Sequence, residues 1–150
     1  MKIGAFADVG LRVLMVLGAE PEVRLSTREL SQRVAVPQSH VSKAVTALSH
    51  RGWIEVQRGR TGGATVSRAG LDVSIGAVLR SLDTRADVAE CTGAAAGDCP
   101  LVGACRLRGH LAAAREAFYA ALDPVSVRDV SGPASGGAFF ASIGLRTSTD

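Results

Sequence analysis

Three cysteines lie in one short segment, at Cys91, Cys99 and Cys105, and the sequence contains no others. The residues around them are largely glycine, alanine, proline and polar residues, which is the composition of a loop. Cysteines that served only as small buried side chains would be expected on an apolar stripe instead. Their concentration in a polar segment therefore predicts a single binding site with thiolate ligands.

The spacing of the cysteines favours an iron–sulfur cluster over zinc. Structural zinc sites usually contain a tight Cys-x-x-Cys pair. Here seven residues separate Cys91 from Cys99, and five separate Cys99 from Cys105. These wider loops suit a larger group held by thiolates at several corners. Arg106 and Arg108 would favour the thiolate form of Cys105. A zinc site, or thiol chemistry without a metal, is the alternative.

The length and composition limit the class of protein. At 150 residues and 47% hydrophobic composition, the chain is long enough for one or two small domains with a core. No apolar run approaches the length of a membrane span, and the first residues lack the order of a secretory signal. We therefore expect a cytoplasmic protein, in which thiols stay reduced. The odd number of cysteines also argues against a closed set of disulfides.

Basic residues are concentrated in one part of the chain. The segment from residue 24 to residue 68 has eight basic and two acidic residues, a net charge of +6, whereas the remainder has a net charge of −3. A basic module joined to a mildly acidic one is typical of a nucleic-acid-binding protein with a separate sensing or dimerising part. A solvated basic surface is the alternative interpretation.

The basic segment has the pattern of a helix-turn-helix. Ser26 and Glu29 have the spacing of a capping box, which predicts a helix over Thr27–Val34. Pro37 breaks this helix and suits the first turn of a second one over Gln38–Arg51. The apolar residues of the second helix fall on one face and its polar residues on the other. Two short helices joined in this way indicate a helix-turn-helix.

A β-hairpin is predicted directly after the second helix. Trp53–Arg58 alternates apolar and polar residues, residues 59–63 form a glycine-rich turn, and Ala64–Ser67 forms a returning strand. Arg58 and Arg60 supply positive charge at the turn, where arginine suits a narrow minor groove. A plain glycine-rich hairpin is the alternative for any single residue. The order of elements predicts a winged helix-turn-helix in a mainly α fold with a small β-hairpin wing.

The remaining apolar patterns predict three further helices, over Ala5–Leu17, Asp72–Leu82 and Arg106–Leu122. The last of these is the longest and carries a continuous apolar stripe, with few other elements left to cover it. A homodimer packed through this helix is the economical solution, and it suits a palindromic DNA site. We expect a DNA-binding domain over residues 1–70 and a cysteine loop with dimerisation helices over residues 71–130. A flexible tail would follow over residues 131–150.

The exposed start of the second helix is expected to enter the major groove of DNA. There Lys43 is suited to donate to guanine and Gln38 to pair with adenine. Ser26 and Thr27 suit contacts to the DNA backbone or helix caps, and the hairpin suits the minor groove or phosphates. The predicted DNA-binding residues are Ser26, Thr27, Gln38, Ser39, His40, Ser42, Lys43, Arg58, Arg60, Gly62 and Gly63.

The sequence does not predict an enzyme. Its histidines, His40, His50 and His110, are scattered, and no pairing of a nucleophile with a base is evident. An electron carrier would use a cluster but would not need the basic helix-turn-helix. A DNA-binding regulator accounts for both parts of the chain.

Over residues 1–130 the chain resembles the bacterial winged-helix repressors that carry iron–sulfur clusters, the family of NsrR and IscR. The resemblance rests on Phe6-Ala7-Asp8 with Leu11-Arg12, on Val36–Ala44, on Gly52, on the hairpin turn and on the three cysteines. The segments Cys99–Arg108 and Glu116–Pro124 look most like the actinobacterial NsrR branch. The resemblance implies a dimeric repressor of nitric-oxide detoxification genes with a [4Fe–4S] cluster, whose damage by nitric oxide releases the DNA.

The same resemblance implies a fourth cluster ligand, Asp8, donated by the partner subunit, and a relay role for Arg12. An acidic residue in a first helical turn, or an ion pair between Asp8 and Arg12, is the structural alternative. The chain departs from the family in its longer first cysteine interval. It also has Arg108 where IscR-like members have a histidine ligand, which disfavours a [2Fe–2S] cluster. A [2Fe–2S] regulator of redox state or cluster supply, and a zinc-bound or cluster-free winged-helix regulator, remain alternative functions.

Overall fold

The computed structural model describes residues 3–59, 62–83, 99–101 and 103–131. Its elements follow one another along the chain as helices interrupted by one hairpin. They are α1 (Ala5–Ala19), α2 (Thr27–Val34), α3 (Gln38–His50), β1 (Ile54–Gln57), β2 (Gly63–Val66), α4 (Arg68–Asp72), α5 (Ile75–Leu82), α6 (Leu107–Ala120) and α7 (Val127–Ser131). The predicted fold class, mainly α with a β-hairpin wing, is confirmed.

The bounds of α2 match the prediction because both ends are set by local chemistry. The Ser26 hydroxyl accepts a hydrogen bond from the Glu29 amide at 3.3 Å, and the Glu29 carboxylate accepts one from the Ser26 amide at 2.8 Å. This is the predicted capping box. The Ser26 side chain and amide hydrogen bonds lower the pKa of Glu29. At the other end, Ala35 takes a left-handed conformation with φ of 53°, and Pro37 precedes the first residue of α3.

The hairpin is antiparallel and is attached to the helix-turn-helix by a further pair of hydrogen bonds. In the register of the hairpin, Ile54 faces Val66 and Gln57 faces Gly63. Leu25, which precedes α2, pairs with Ala64 through two backbone hydrogen bonds of 2.8 and 3.0 Å. The hairpin therefore has a third, single-residue strand contact that fixes it beside the start of α2.

The helix predicted over Asp72–Leu82 is present over Ile75–Leu82, and its predicted start at Asp72 is wrong. The chain forms two helices, α4 and α5, because Val73 is extended and the Ser74 hydroxyl accepts a hydrogen bond from the Ala77 amide at 3.0 Å. Serine competes for backbone hydrogen bonds in this way and favours a helix start over a helix interior. The apolar spacing of α5 was identified, but the break before it was not. The short α7 was not predicted either.

One core joins the elements, and α1 lies at its centre. This helix packs on α2, α3, α5 and α7, and its residues Val13, Leu14 and Leu17 are fully buried. Gly10 lies so close to Leu82 of α5 that a Cβ atom would have no room. The second turn of α1 and the end of α5 therefore lie in close contact. Within the described residues, no helix is both long enough and apolar enough to span a bilayer.

Candidate nucleic-acid interface and cysteine segment

Helix α3 has one buried face and one exposed face. Val41, Ala44, Val45 and Leu48 are buried in the core. The residues predicted to contact DNA are all exposed on the remaining surface, namely Gln38, Ser39, His40, Ser42 and Lys43. Thr46 is also exposed and donates a hydrogen bond to the Ser42 carbonyl at 3.0 Å. The helix thus presents polar donors and acceptors outward from its first two turns, as a recognition helix requires.

A cleft of about 290 Å³ separates the start of α2 from the wing. It brings together five of the predicted DNA-binding residues, Ser26, Thr27, Arg58, Gly62 and Gly63. The Arg24 side chain lies against Gly63 at the edge of this cleft and is exposed. Arg24 is predicted from the sequence only as part of the basic segment, although its position just before the α2 cap is a usable signal. Arg60 lies outside the described residues.

A second cavity, of about 360 Å³, lies where three helices meet. Its lining includes Phe6 and Val9 of α1, His40 and Lys43 of α3, and Asp83 at the end of α5. Two residues predicted to contact DNA therefore also face the first turn of α1. Asp83 is also the last described residue before the segment of the sequence that contains Cys91.

The Asp83 carboxylate connects this cavity to α6. Its Oδ2 accepts a hydrogen bond from the Tyr119 hydroxyl at 3.0 Å, while its Oδ1 is buried without a hydrogen-bond partner among the described residues. Burial, followed by the hydrogen bond to Asp83, raises the pKa of Tyr119. The contact crosses 36 positions of sequence and ties the end of α5 to α6.

Asp8 and Arg12 form an ion pair of 2.9 Å on the surface of α1. The structural alternative considered for Asp8 is therefore present in the single chain, and Asp8 also lies in the first turn of its helix. Both side chains remain about half exposed, at 45% and 50%. A surface pair of this kind contributes little to stability. Because the Asp8 side chain is half exposed, its carboxylate is accessible to another partner.

Cys99 and Cys105 lie on either side of a turn that precedes α6. Neither is in a disulfide, and both are partly exposed. Leu101 between them is 68% exposed, and the Ala104 amide donates to the Leu101 carbonyl at 3.1 Å. Cys91 lies outside the described residues. Within those residues, no three histidine, cysteine, aspartate or glutamate side chains of one chain converge as a metal site.

Within the described part of the chain, the first half of the predicted apolar stripe of α6 is largely uncovered. Tyr119 is its only buried residue, whereas Leu107 is 60% exposed and Ala114 is also exposed. Leu111 is only partly covered. The helix packs chiefly on α5 through its second half.

Arg80 of α5 fixes that second half of α6. Its guanidinium donates to Glu116 at 2.6 and 2.9 Å and to Asp123 at 2.6 and 2.9 Å. It also lies 5.6 Å from the centre of the Tyr119 ring. Hydrogen bonds from Arg80 lower the pKa of Asp123 and of Glu116. The second half of α6 is therefore well defined by polar contacts with the described part of α5.

Comparisons with known proteins are consistent with this geometry. Residues 3–133 match the Rrf2 family, described as iron-dependent transcriptional regulators. The HTH-type transcriptional repressor NsrR of Streptomyces coelicolor is 47% identical over 135 residues, which cover 87% of this chain and 88% of that protein. The HTH-type transcriptional regulator NsrR of Geobacillus kaustophilus is 34% identical over 131 residues, covering 87% and 89%.

A solved structure of T. potens IscR has the same fold, with a TM-score of 0.65 at 15% identity over 87% of this chain and 85% of that one. The predicted family and the predicted non-enzymatic, regulatory class are confirmed by these matches. The roles of individual site residues stay predictions.

Proposed function

Because the chain belongs to the Rrf2 family of transcriptional regulators, we propose that it is a dimeric bacterial repressor that senses nitric oxide through an iron–sulfur cluster. One observation carries the proposal. The cavity beside α1 joins residues of the recognition helix to Asp83, at the entrance to the cysteine segment. In this proposal, a change in that segment would be passed through Asp83 to the elements that position the DNA-binding side chains. As a bacterial regulator of DNA, the protein would work in the cytoplasm.

Residues 1–70 form the proposed DNA-binding domain. The exposed residues of α3, Gln38, Ser39, His40, Ser42 and Lys43, would contact base edges in the major groove. The cleft between α2 and the wing would bind the DNA backbone, since Ser26 and Thr27 lie at a helix N-terminus, which favours phosphate. At the wing, Arg58 and Arg60 supply positive charge, while Gly62 and Gly63 allow close approach of the backbone to DNA.

The cysteine segment supplies donors of the right chemistry for a cluster. Cys99 and Cys105 are unpaired and partly exposed thiols, and thiolates are the usual ligands of iron–sulfur clusters. Cys91 would be the third thiolate, and Asp8 of the partner subunit the fourth ligand. A carboxylate oxygen is a harder and weaker ligand for such iron than a thiolate. When bound, a [4Fe–4S] cluster supplies iron that reacts with nitric oxide.

The ion pair of Arg12 with Asp8 would change when Asp8 binds or leaves the cluster. In the single chain its guanidinium is paired with Asp8, and a carboxylate that binds iron gives up part of this interaction. Loss of the ligand bond returns Asp8 to Arg12 on α1, the helix that packs against α3. We propose that this exchange is one source of the conformational signal.

Dimerisation would use α6, within residues 71–130. Its exposed stripe is apolar, and the described part of the chain covers only its second half. A twofold dimer would pair the two stripes and bring two recognition helices to two half-sites of DNA. The same dimer is needed for a ligand to reach the cluster from the other subunit.

The test is to purify the protein without oxygen and titrate it with nitric oxide, following absorption and operator binding on the same samples. We expect the absorption of a [4Fe–4S] cluster to fade as DNA binding falls. A [2Fe–2S] spectrum would support a regulator of redox state or cluster supply. A colourless protein whose DNA binding ignores nitric oxide would support a zinc-bound or cluster-free regulator.

The Asp8→Ala variant tests the fourth ligand, with Asp72→Ala as its control. Asp72 is also a half-exposed aspartate paired with an arginine four residues away, Arg68, but it lies on α4 and additionally accepts from Arg128 of α7. We expect Asp8→Ala alone to make the cluster bleach faster, with unfolding temperatures alike in both variants. An unchanged spectrum and an unchanged bleaching rate in Asp8→Ala would rule out this ligand.

A further inference from the structure

Arg51, the residue directly after α3, joins the ends of two helices. Its guanidinium donates to the Ala47 carbonyl at 2.8 Å, near the end of α3. It also donates to the Ser81 carbonyl at 2.9 Å and to the Ser81 hydroxyl, near the end of α5. The contact between Arg51 and Ser81 spans 30 positions of sequence.

Both carbonyls are of the kind that a helix end leaves without a partner. At the end of α3 the amides of Arg51 and Trp53 both donate to Leu48, and the amide of Gly52 donates to Ser49. The Ala47 carbonyl is therefore passed over by these backbone donors and is satisfied by the arginine side chain. The C-terminus of a helix carries partial negative charge, so one guanidinium stabilises two negative helix ends at once.

The position of Arg51 separates it from the DNA-binding residues. It lies 13 positions after Gln38, which corresponds to about 20 Å along a helix. Its guanidinium also lies 5.9 Å from the centre of the Trp53 ring, at the start of the wing. Ser81 lies two residues before Asp83, where the described chain stops ahead of the cysteine segment. Arg51 thus links the entrance of that segment to both the recognition helix and the wing.

We infer that Arg51 is a positioning residue that transmits the state of the cysteine segment to the recognition helix. The inference rests on the proposed function, in which a cluster in that segment controls DNA binding. The planar guanidinium bonds Ser81 through two donors and Ala47 through a third, so a displacement of the end of α5 moves the end of α3. A lysine ammonium lacks this rigid fork and cannot hold both ends in the same geometry.

The experiment compares Arg51→Ala, Arg51→Lys and the control Arg68→Ala. Arg68 is an exposed arginine whose nearest carboxylate, Asp72, lies in its own helix. Operator affinity is measured for the cluster-loaded and cluster-free forms of each protein. We expect Arg51→Ala to reduce the ratio of the two affinities about fivefold, which is the lower range of typical coupling between sites. Arg51→Lys should fall between Arg51→Ala and the wild type, and Arg68→Ala should keep the full ratio.

An equal loss of affinity in both forms of Arg51→Ala would show a role in charge or folding alone and would overturn the inference. A wild-type ratio of one would instead contradict the proposed function. In that case, hydrogen exchange on the cluster-free protein tests separately whether Arg51 couples the ends of α3 and α5. The amides of Trp53 and Asp83, which donate to Leu48 and Leu79 respectively, should both exchange faster in Arg51→Ala. Faster exchange at only one of them, or at neither, would mean that Arg51 does not couple the two helix ends.

Discussion

The two ends of the molecule differ in where their apolar surface is buried. The helices of the winged helix-turn-helix bury their apolar faces, with Leu14, Leu30 and Leu48 fully buried, and α2 begins at a capping box. Helix α6 buries only Tyr119, although Phe118 is partly buried against the core. Among the described residues, the first turns of α6 therefore keep exposed apolar side chains.

In the proposed function, this difference separates the contacts that stabilise the fold from the contacts that would change with the signal. The α6 end is attached through polar contacts of Arg80 and through the hydrogen bond of Tyr119 to Asp83. The energy of such hydrogen bonds depends on geometry far more than the energy gained by burying a leucine does. In the proposed function, this arrangement would let the α6 end change position while the winged helix-turn-helix stays intact.

The largest expected effect is a loss of stability from Leu14→Ala with no equivalent loss from Leu107→Ala. Leu14 is 0% exposed and Leu107 is 60% exposed. Removing the Leu14 side chain leaves a cavity in the core and should cost about 2–5 kcal/mol of unfolding free energy. Leu107→Ala should stay within about 0.5 kcal/mol at low protein concentration. Urea unfolding at several protein concentrations measures the unfolding free energy of both variants. Equal losses would contradict the difference in burial between the core and the first turn of α6.

The next effect concerns self-association. Leu107→Glu places a charge in the α6 stripe of both subunits and should raise the dimer dissociation constant at least about tenfold, given the transfer free energy of a leucine. Val23→Glu is the control, because Val23 is 42% exposed and lies outside α6. Sedimentation velocity over a dilution series distinguishes them. A Leu107→Glu protein that remains as dimeric as the wild type would show that α6 is not the interface.

A smaller effect is expected at the α2 cap. Ser26→Ala removes the hydroxyl that accepts from the Glu29 amide, and loss of such a cap costs about 1 kcal/mol. Because the cap lies in the winged helix-turn-helix and not in α6, the cost should appear in thermal unfolding without a change in the dimer dissociation constant. A change in the dimer dissociation constant would mean that the winged helix-turn-helix and α6 are more tightly coupled than we expect.

The smallest effect is a dependence of stability on acid pH at the α5–α6 contact. Hydrogen bonds from Arg80 depress the pKa of Asp123 and Glu116. Their contribution is therefore present above the unfolded values near about pH 4 and is lost as pH falls through the lower folded values. Arg80→Gln should flatten this acid-side decline of the urea midpoint, whereas Arg68→Gln should not. Parallel declines in all three proteins would exclude the contribution.

Local chemistry explains what the sequence predicted correctly. The bounds of α2 followed from a capping box between residues three positions apart and from Pro37. The exposed residues of α3 followed from helical spacing. Helix α4 was not predicted, and the start of α5 was placed three residues too early because the capping role of Ser74 was not recognised. The contacts of Arg51 with Ser81 and of Tyr119 with Asp83 join distant positions, and no local pattern marks them.

The pair of hydrogen bonds between Leu25 and Ala64 has a consequence for how operators diversify. It fixes the wing beside the start of α2. In the proposed complex with DNA, substitutions on the exposed face of α3 would change which bases are preferred without disturbing this attachment. The spacing between the contacted grooves would instead be a property of the fold. Relatives with this bridge should therefore vary the letters of their binding sites more readily than the length of each half-site.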